Sequence, residues 1–312
     1  MAIFSTAWAV LFPLFGKIAI GFGLRKLNLI SLKALREFNN VVFRVLLPIL
    51  LFSNIYKANF SEITSFRLLG YAVITILVIF TFYMFLIPKL IKDNRQQGVL
   101  VQGICRSNFI FFGIPMATYL YGGTSAGIAS LLVGVVVPVV NVMSVIALEY
   151  FRGKTPNFAN ILKGIILNPI IIGGVLGLIS NLIGLRFPTS IENLIAEIAG
   201  IATPLALIIL GGSVTFTSVR ANRKPLLLGV LNRLLIVPAV GIIISILIGF
   251  RGVELVLIMA LLASPSAVSS YTMAQQMGGD AELAGQIVVF TTVFSLFTLF
   301  MWITGLMALG YF

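Results

Sequence analysis

Long apolar runs are the feature that most constrains the fold of this chain. A helix needs about 17–25 mostly apolar residues to cross a bilayer, and the sequence contains ten runs of this kind. In hydrocarbon the backbone must satisfy its own hydrogen bonds, so each run is predicted to be a helix. The predicted spans, numbered 1 to 10 in chain order, are Thr6–Leu24, Phe38–Tyr56, Leu68–Leu86, Gly98–Tyr121, Ser125–Leu148, Leu162–Gly184, Ala196–Phe216, Leu226–Phe250, Val253–Met277 and Leu283–Leu309.

The composition fits an all-α polytopic membrane protein. Of the 312 residues, 59% are hydrophobic and 10% are charged, whereas a soluble domain has about 25% charged residues. The first run lacks the short apolar core and cleavage site of a removable signal peptide, so we expect it to be retained. The connections are short, which predicts a single membrane domain over residues 1–312.

The residue types leave little basis for enzymatic chemistry. The chain has no histidine, and its single cysteine, Cys105, lies in an apolar run. Paired carboxylates, cysteine clusters and nucleophile–base pairs are also missing, so we expect no metal site, no cofactor and no catalysis. The net charge of +12 is spread over the connections rather than over one face, so nucleic acid is not an expected partner.

The basic residues instead predict the topology. Thirteen Lys and Arg residues lie in or beside the connections that follow spans 1, 3, 5 and 7, and four lie in the other connections. By the positive-inside rule the first set faces the cytoplasm. The sequence therefore predicts a multi-pass protein of the cell membrane with both termini extracytoplasmic.

Matching glycines and prolines indicate an internal repeat. Pro48 and Pro204 are 156 positions apart, and Pro115 and Pro265 are 150 apart. The chain thus divides into a first copy, about 1–155, and a second, about 156–312. Each copy has five spans, and because five is odd the second copy enters from the other side, which makes the repeat inverted.

Spans 4 and 9 carry interruptions at corresponding places in the two copies. Span 4 contains Arg106–Pro115, which includes Gly113, and span 9 contains Ser264–Ser266. Proline in a helix interior removes a backbone hydrogen bond, and in lipid the freed groups require a cavity or close protein packing. We therefore predict two broken helices that cross at Pro115 and Pro265. Half-helix amino ends at such a crossing favour an anion.

Polar residues near this crossing are candidates for a site. Arg106 lies deep in span 4, where it either faces a cavity and attracts an anion or extends back to the cytoplasmic headgroups. Asn108 is close by in the chain, while Asn54 and Ser213 follow the matched prolines of spans 2 and 7. Hydroxyl and amide groups of this kind also serve commonly as hydrogen bonds between helices.

Embedded charges favour an anionic substrate. No Asp or Glu lies in the middle of a span, whereas Lys17, Arg44, Arg106 and Arg233 are all embedded. A proton-coupled carrier generally needs an embedded carboxylate or histidine. We expect Lys17, Arg44 and Arg233 to reach the nearby cytoplasmic interface. An uncoupled carrier would then export anions under the inside-negative potential.

Three motifs resemble those of the auxin efflux carrier family. Arg106–Ala117, followed by Leu120–Gly122, is similar to its fourth-span signature. Leu167–Ile171 and Ile209–Ser213 resemble its sixth- and seventh-span motifs. The similarity extends over nearly the whole chain and points to a prokaryotic member. The short connection 5–6, and the lack of Asp and Lys in span 3, differ from the plant exporters and argue against auxin itself.

The resemblance implies ten spans in a five-plus-five inverted repeat. Spans 1, 2, 6 and 7 would form a scaffold, and spans 3–5 and 8–10 a transport domain that moves like an elevator. The substrate carboxylate would lie at the proline crossing with help from Asn141, and a homodimer is plausible. The candidate substrate-binding residues are Asn108, Gly113, Pro115, Ser264, Pro265, Ser266, Arg106, Asn54, Asn141 and Ser213.

The sequence as a whole predicts a secondary transporter that exports a small organic anion. The anion would be a carboxylate, either auxin-like or a dicarboxylate. Two alternatives remain open: a sodium- or proton-coupled organic anion symporter, and a membrane sensor built on a transporter fold.

Overall fold

The computed structural model describes residues 2–57, 66–121, 125–153, 158–213, 219–220 and 222–311. These residues form helices and no strand, which confirms the all-α class. The helices are α1 Ala2–Lys26, α2 Leu32–Tyr56, α3 Phe66–Leu90, α4 Asn94–Cys105, α5 Phe109–Tyr121, α6 Ser125–Tyr150, α7 Phe158–Ile166, α8 Pro169–Leu182, α9 Thr189–Ser213, α10 Arg223–Ile248, α11 Gly252–Ala263, α12 Ser269–Gln276 and α13 Ala281–Ala308.

Among the described residues, α2, α3, α9, α10, α13 and the Leu131–Tyr150 part of α6 are long and apolar enough to cross a membrane. The helices α8 and α11 are apolar but shorter. Several such helices in one chain make this a polytopic membrane protein. Each of the ten predicted spans overlaps helix in the structure.

Predicted spans 4, 6 and 9 each consist of two helices, and the division of span 6 was not foreseen. Asn168 and Pro169 separate α7 from α8. The residue before a proline is disfavoured in helical conformation, and the Asn168 side chain accepts a hydrogen bond of 3.0 Å from the Ile170 amide. Asn168 therefore caps α8 at its amino end.

Two continuous helices contain a wider π-helical turn. The turn is Val42–Leu46 in α2 and Asn232–Ile236 in α10. A proline, Pro48 or Pro238, follows two residues later. Because proline donates no backbone hydrogen bond, the hydrogen-bond pattern of the helix changes in the turn before it. Each widened turn contains an arginine.

Four helices, α1, α2, α8 and α9, pack together through glycine, and we call them the glycine-packed group. The helix α1 lies along α9, and α2 lies along α8. A Cβ added to Gly21 would lie 1.9 Å from the Ile208 carbonyl oxygen, and one added to Gly211 would lie 2.0 Å from that of Ile18. These backbones therefore touch directly, as small residues permit in membrane proteins.

The remaining long helices surround α4 and α11, and we call α3–α6 and α10–α13 the crossover group. The helix α3 packs against α4 and α6, α5 packs against α6 and α11, and α10 packs against α11 and α13. Every residue from Leu255 to Ala263 in α11 is buried. The helix α11 is thus enclosed on all sides by protein.

Candidate substrate site at the helix crossing

Two short interruptions cross at the centre of the crossover group. Residues 106–108 separate α4 from α5, and residues 264–268 separate α11 from α12. They run antiparallel, with Ser107 opposite Ser266. The Asn108 amide donates to the Pro265 carbonyl at 2.8 Å, and the Ala267 amide donates to the Arg106 carbonyl at 3.2 Å. Each interruption thus satisfies backbone groups that the other leaves free.

Side chains complete the hydrogen bonding of this crossing. The Ser266 amide donates to Thr291 Oγ1 on α13 at 3.1 Å, and the Ser266 hydroxyl donates to the carbonyl oxygen of Gly103. The Ser264 hydroxyl donates to the Ala260 carbonyl within its own helix. Both serines are fully buried, and each hydroxyl has a backbone carbonyl as its partner.

The crossing does not lie at Pro115, which corrects the sequence prediction. Pro115 falls inside the continuous helix α5, six residues after its start at Phe109. A single missing amide is tolerated within a membrane helix. The chain is interrupted instead at residues 106–108, because these find an antiparallel partner. Pro265 does lie at the crossing, where its carbonyl accepts a hydrogen bond and no amide is needed. The surroundings of Gly113 and Pro115 lie outside the described side chains.

Arg106 points into the protein interior and does not extend to the headgroups. Its side chain is only 6% exposed. Nη2 donates to Asn141 Oδ1 at 2.8 Å and to Ser269 Oγ at 2.7 Å, and Nη1 contacts Met273 Sδ. These partners are all neutral. The guanidinium is therefore fixed in position while its charge remains without a counter-ion among them.

A cavity lies between the glycine-packed group and the crossover group. Its polar residues are Asn54, Arg106, Ser107, Asn108, Asn141, Thr203 and Ser269. Its apolar residues are mostly aliphatic and include Leu47, Leu50, Leu51, Val136, Val137, Val140 and Ile170. The first residues of α5 and α12 line it, so two helix amino ends open into the cavity beside Arg106.

The structure brings together four of the predicted site residues, namely Asn54, Arg106, Asn108 and Asn141. Ser213 is not among the residues that line the cavity. Thr203 on α9 does line it and was not predicted, although its position beside the matched proline Pro204 was visible in the sequence.

Arg233 corrects a second expectation, because it does not extend to the interface. It is 1% exposed. Its Nε donates to the Ser264 carbonyl at 2.8 Å, and its Nη1 donates to that of Ile104 at 2.9 Å. Its Nη2 donates to the carbonyls of Leu261 and Leu262 at 3.0 and 2.8 Å. The cation is therefore held at the carboxyl ends of α4 and α11.

A polytopic helical protein with an interior cavity at two interrupted, crossing helices falls in the class of membrane transporters. Residues 6–303 match the model of the family described as membrane transport protein, and the chain belongs to that family. This confirms the resemblance to the auxin efflux carriers. The family consists of transport proteins and not of enzymes.

Two archaeal proteins are similar over almost their whole length. An uncharacterized transporter of Methanothermobacter thermautotrophicus is 25% identical over 288 residues, which cover 91% of this chain and 93% of the relative. An uncharacterized transporter of Methanocaldococcus jannaschii is 22% identical over 294 residues, which cover 91% and 94% respectively.

Proposed function

We propose that the protein is a secondary transporter that exports a small organic anion, with the cavity at the crossing as its site. The observation that carries this proposal is the Arg106 guanidinium, which lines the cavity while its hydrogen-bond partners are neutral. A cation inside a membrane protein is costly unless a counter-charge compensates it. An anionic substrate would supply that charge.

The helix amino ends add to this preference. The helices α5 and α12 begin at the cavity wall, and the positive ends of their dipoles favour negative charge. A carboxylate also forms strong, charge-assisted hydrogen bonds with a guanidinium. Asn54, Asn108 and Asn141 would orient the substrate as neutral donors and acceptors.

The lining favours one kind of carboxylate over another. Beyond the crossing, the walls are aliphatic, with Leu47, Leu51, Val136 and Ile170 facing the space. A second charge there would be desolvated without a partner. Within the predicted class, we infer a singly charged carboxylate with an apolar body rather than a dicarboxylate.

The position of the cavity supports alternating access of the elevator kind. In this proposal ten spans form a five-plus-five inverted repeat, the glycine-packed group is the scaffold, and the crossover group carries the substrate across the cell membrane. Within the described part of the chain, no acidic side chain is among the hydrogen-bond partners of Arg106. We therefore propose uncoupled transport, driven outward by a potential worth about 2.3 kcal/mol per charge per 100 mV.

Currents across a solid-supported membrane test the proposal. Reconstituted protein would be given indole-3-acetate, malonate, malate and taurocholate in turn, with and without a sodium or proton gradient. We expect a current without either gradient from indole-3-acetate, which serves here as a probe for singly charged carboxylates with an apolar body and not as the expected natural substrate. Arg106→Gln should abolish it, whereas Arg44→Gln, at an exposed arginine in the π-helical turn of α2, should leave it unchanged.

Other outcomes would favour the alternatives. A current that appears only with a sodium or proton gradient would favour a coupled symporter. A current from malate or malonate alone would reverse the inferred preference for one charge. Silence from all four anions would contradict export of organic anions and favour a sensor built on this fold.

A further inference from the structure

Arg233 occupies an unusual place for a charged side chain. The last carbonyls of a helix have no partner in the helix itself and carry the negative end of its dipole. Two such ends meet here, because α4 ends at Cys105 and α11 ends at Ala263. Arg233 donates to carbonyls of both ends, so one guanidinium serves two helices.

The arrangement has the chemistry of a cation site. In transporters with broken helices, carbonyl oxygens at half-helix carboxyl ends and in unwound segments coordinate sodium. Here four carbonyl oxygens lie 2.8–3.0 Å from the nitrogens of Arg233, and a fifth, that of Cys105, lies at 3.5 Å. Hard cations prefer oxygen ligands of this kind. The guanidinium fills the space that they enclose.

We propose that Arg233 is a built-in substitute for a coupling cation, and that its carbonyl cage would bind sodium or guanidinium if the side chain were removed. The proposal rests on the proposed function for its meaning in transport. A cation that belongs to the chain neither enters nor leaves during the cycle. The crossing is then complete without sodium, and only the charge of the substrate crosses the membrane.

The neighbours of Arg233 indicate that its position is fixed. Pro238 has no amide to offer the Leu234 carbonyl, which lies four residues before it in the π-helical turn, and the Trp302 indole donates to that carbonyl at 3.1 Å. The Tyr83 hydroxyl donates to Asn232 Oδ1 at 2.6 Å. These contacts hold the turn from α3 and α13 on either side, so the guanidinium is presented to the cage at little further entropic cost.

The two buried arginines, Arg106 and Arg233, have different roles at the crossing. Arg106 lines the cavity and has neutral side-chain partners, so its charge is available to a substrate. The hydrogen bonds of Arg233 all go to backbone carbonyls within the described part of the chain. Arg233 is therefore a positioning residue that joins α4 to α11 and does not touch the substrate.

Thermal unfolding of the purified full-length chain tests the cage directly and needs no substrate. Melting temperatures would be measured in sodium chloride and in choline chloride at equal ionic strength, and with millimolar guanidinium added to the choline buffer. The variants are Arg233→Ala, Arg233→Lys and Arg44→Ala. Arg44 is the matched control because it lies in the other π-helical turn but is exposed.

For the wild-type protein and for Arg44→Ala, we expect the melting temperature to be the same in sodium, choline and guanidinium. Arg233→Ala should melt several degrees lower in choline and should regain at least half of that loss, saturably, with sodium or guanidinium. Arg233→Lys should melt at a temperature between those of the wild-type protein and Arg233→Ala. Sodium should not change its melting temperature, since the lysine ammonium supplies the charge. In reconstituted Arg233→Ala, the indole-3-acetate current should become sodium-dependent.

Two results would overturn the proposal. One is an Arg233→Ala protein whose melting temperature is the same in sodium, guanidinium and choline. The other is saturable stabilisation of the wild-type protein by sodium, which decides the question even if Arg233→Ala does not fold. Absence of a current from the wild-type protein would count against the proposed function. The melting experiment would still show whether the carbonyl cage binds a cation.

Discussion

The glycine-packed group and the crossover group meet the same demand of the membrane in opposite ways. In the first, α1, α2 and α9 run without a break, and glycine lets backbones touch. In the second, two spans are interrupted. Hydrogen bonds from the other interrupted segment and from side chains satisfy the backbone groups that the interruptions leave free. Tight packing would suit the proposed scaffold, whereas the interruptions bring polar groups to the wall of the proposed substrate cavity.

The burial of the two groups shows the same difference. In α8 of the glycine-packed group, Ile172, Val175 and Leu176 are exposed, as expected for a helix that faces lipid. In α11 of the crossover group, every residue from Leu255 to Ala263 is buried. The polar and charged groups of the crossing are thus screened from lipid by the chain itself, and their cost is compensated inside the protein.

The largest effect should come from adding one methyl group to the glycine-packed group. Gly211→Ala would place a Cβ 2.0 Å from the Ile18 carbonyl oxygen. It should destabilise the protein by about 3 kcal/mol. Gly200→Ala is the control in the same helix, since nothing lies within 4 Å of its added Cβ; it should stabilise the protein by about 0.5–1 kcal/mol. Chemical denaturation in detergent measures both. Equal responses would mean that close approach does not hold α1 to α9.

A hydroxyl deletion should have a somewhat smaller effect at the crossing. Thr291→Val leaves the buried Ser266 amide without its partner, which should cost about 1–3 kcal/mol. Thr292→Val is the control because that hydroxyl donates to the Val288 carbonyl of its own helix. Thermal melting of the two variants gives the comparison. If Thr292→Val were the more damaging, the hydrogen bond from α13 would not be what supports the crossing.

The smallest effect should come from Asn168, which caps a helix of the glycine-packed group and also contacts the crossover group. Asn168 caps α8, and its Nδ2 lies 3.7 Å from Met277 Sδ after α12. Asn168→Ala should cost about 1 kcal/mol through loss of the cap. Asn168→Ser keeps an oxygen for the Ile170 amide and should recover most of that stability. If Asn168→Ser were as unstable as Asn168→Ala, the contact with Met277 rather than the cap would account for the stabilising effect of Asn168.

The sequence predicted the positions of the helices well, because runs of apolar residues in a membrane protein leave the backbone few alternatives. It also located the interruption at Ser264–Ser266. It misplaced the interruption of span 4 by several residues, since Pro115 marks a possible break whereas the actual break depends on a partner segment some 160 residues away.

The two arginines show why side-chain roles were harder to predict. Depth along a helix suggested that Arg233 could reach the interface, but depth does not reveal which neighbours surround a side chain. The carbonyls that hold it come from α4 and from the α11 end. For Arg106 the sequence allowed either the interface or the cavity, and contacts with Asn141 and Ser269 from other helices decide between them.

Cys105, which carries the only thiol of the protein, contributes a backbone carbonyl to the cage of Arg233. Cys105 is the last residue of α4, it is 7% exposed, and its carbonyl oxygen lies 3.5 Å from Arg233 Nη1. Because Cys105 is the single cysteine of the chain, thiol labelling of the native protein is specific to this position and needs no engineered cysteine. The rate at which a small alkylating reagent modifies Cys105 would report how often these helix ends separate, in detergent or in vesicles.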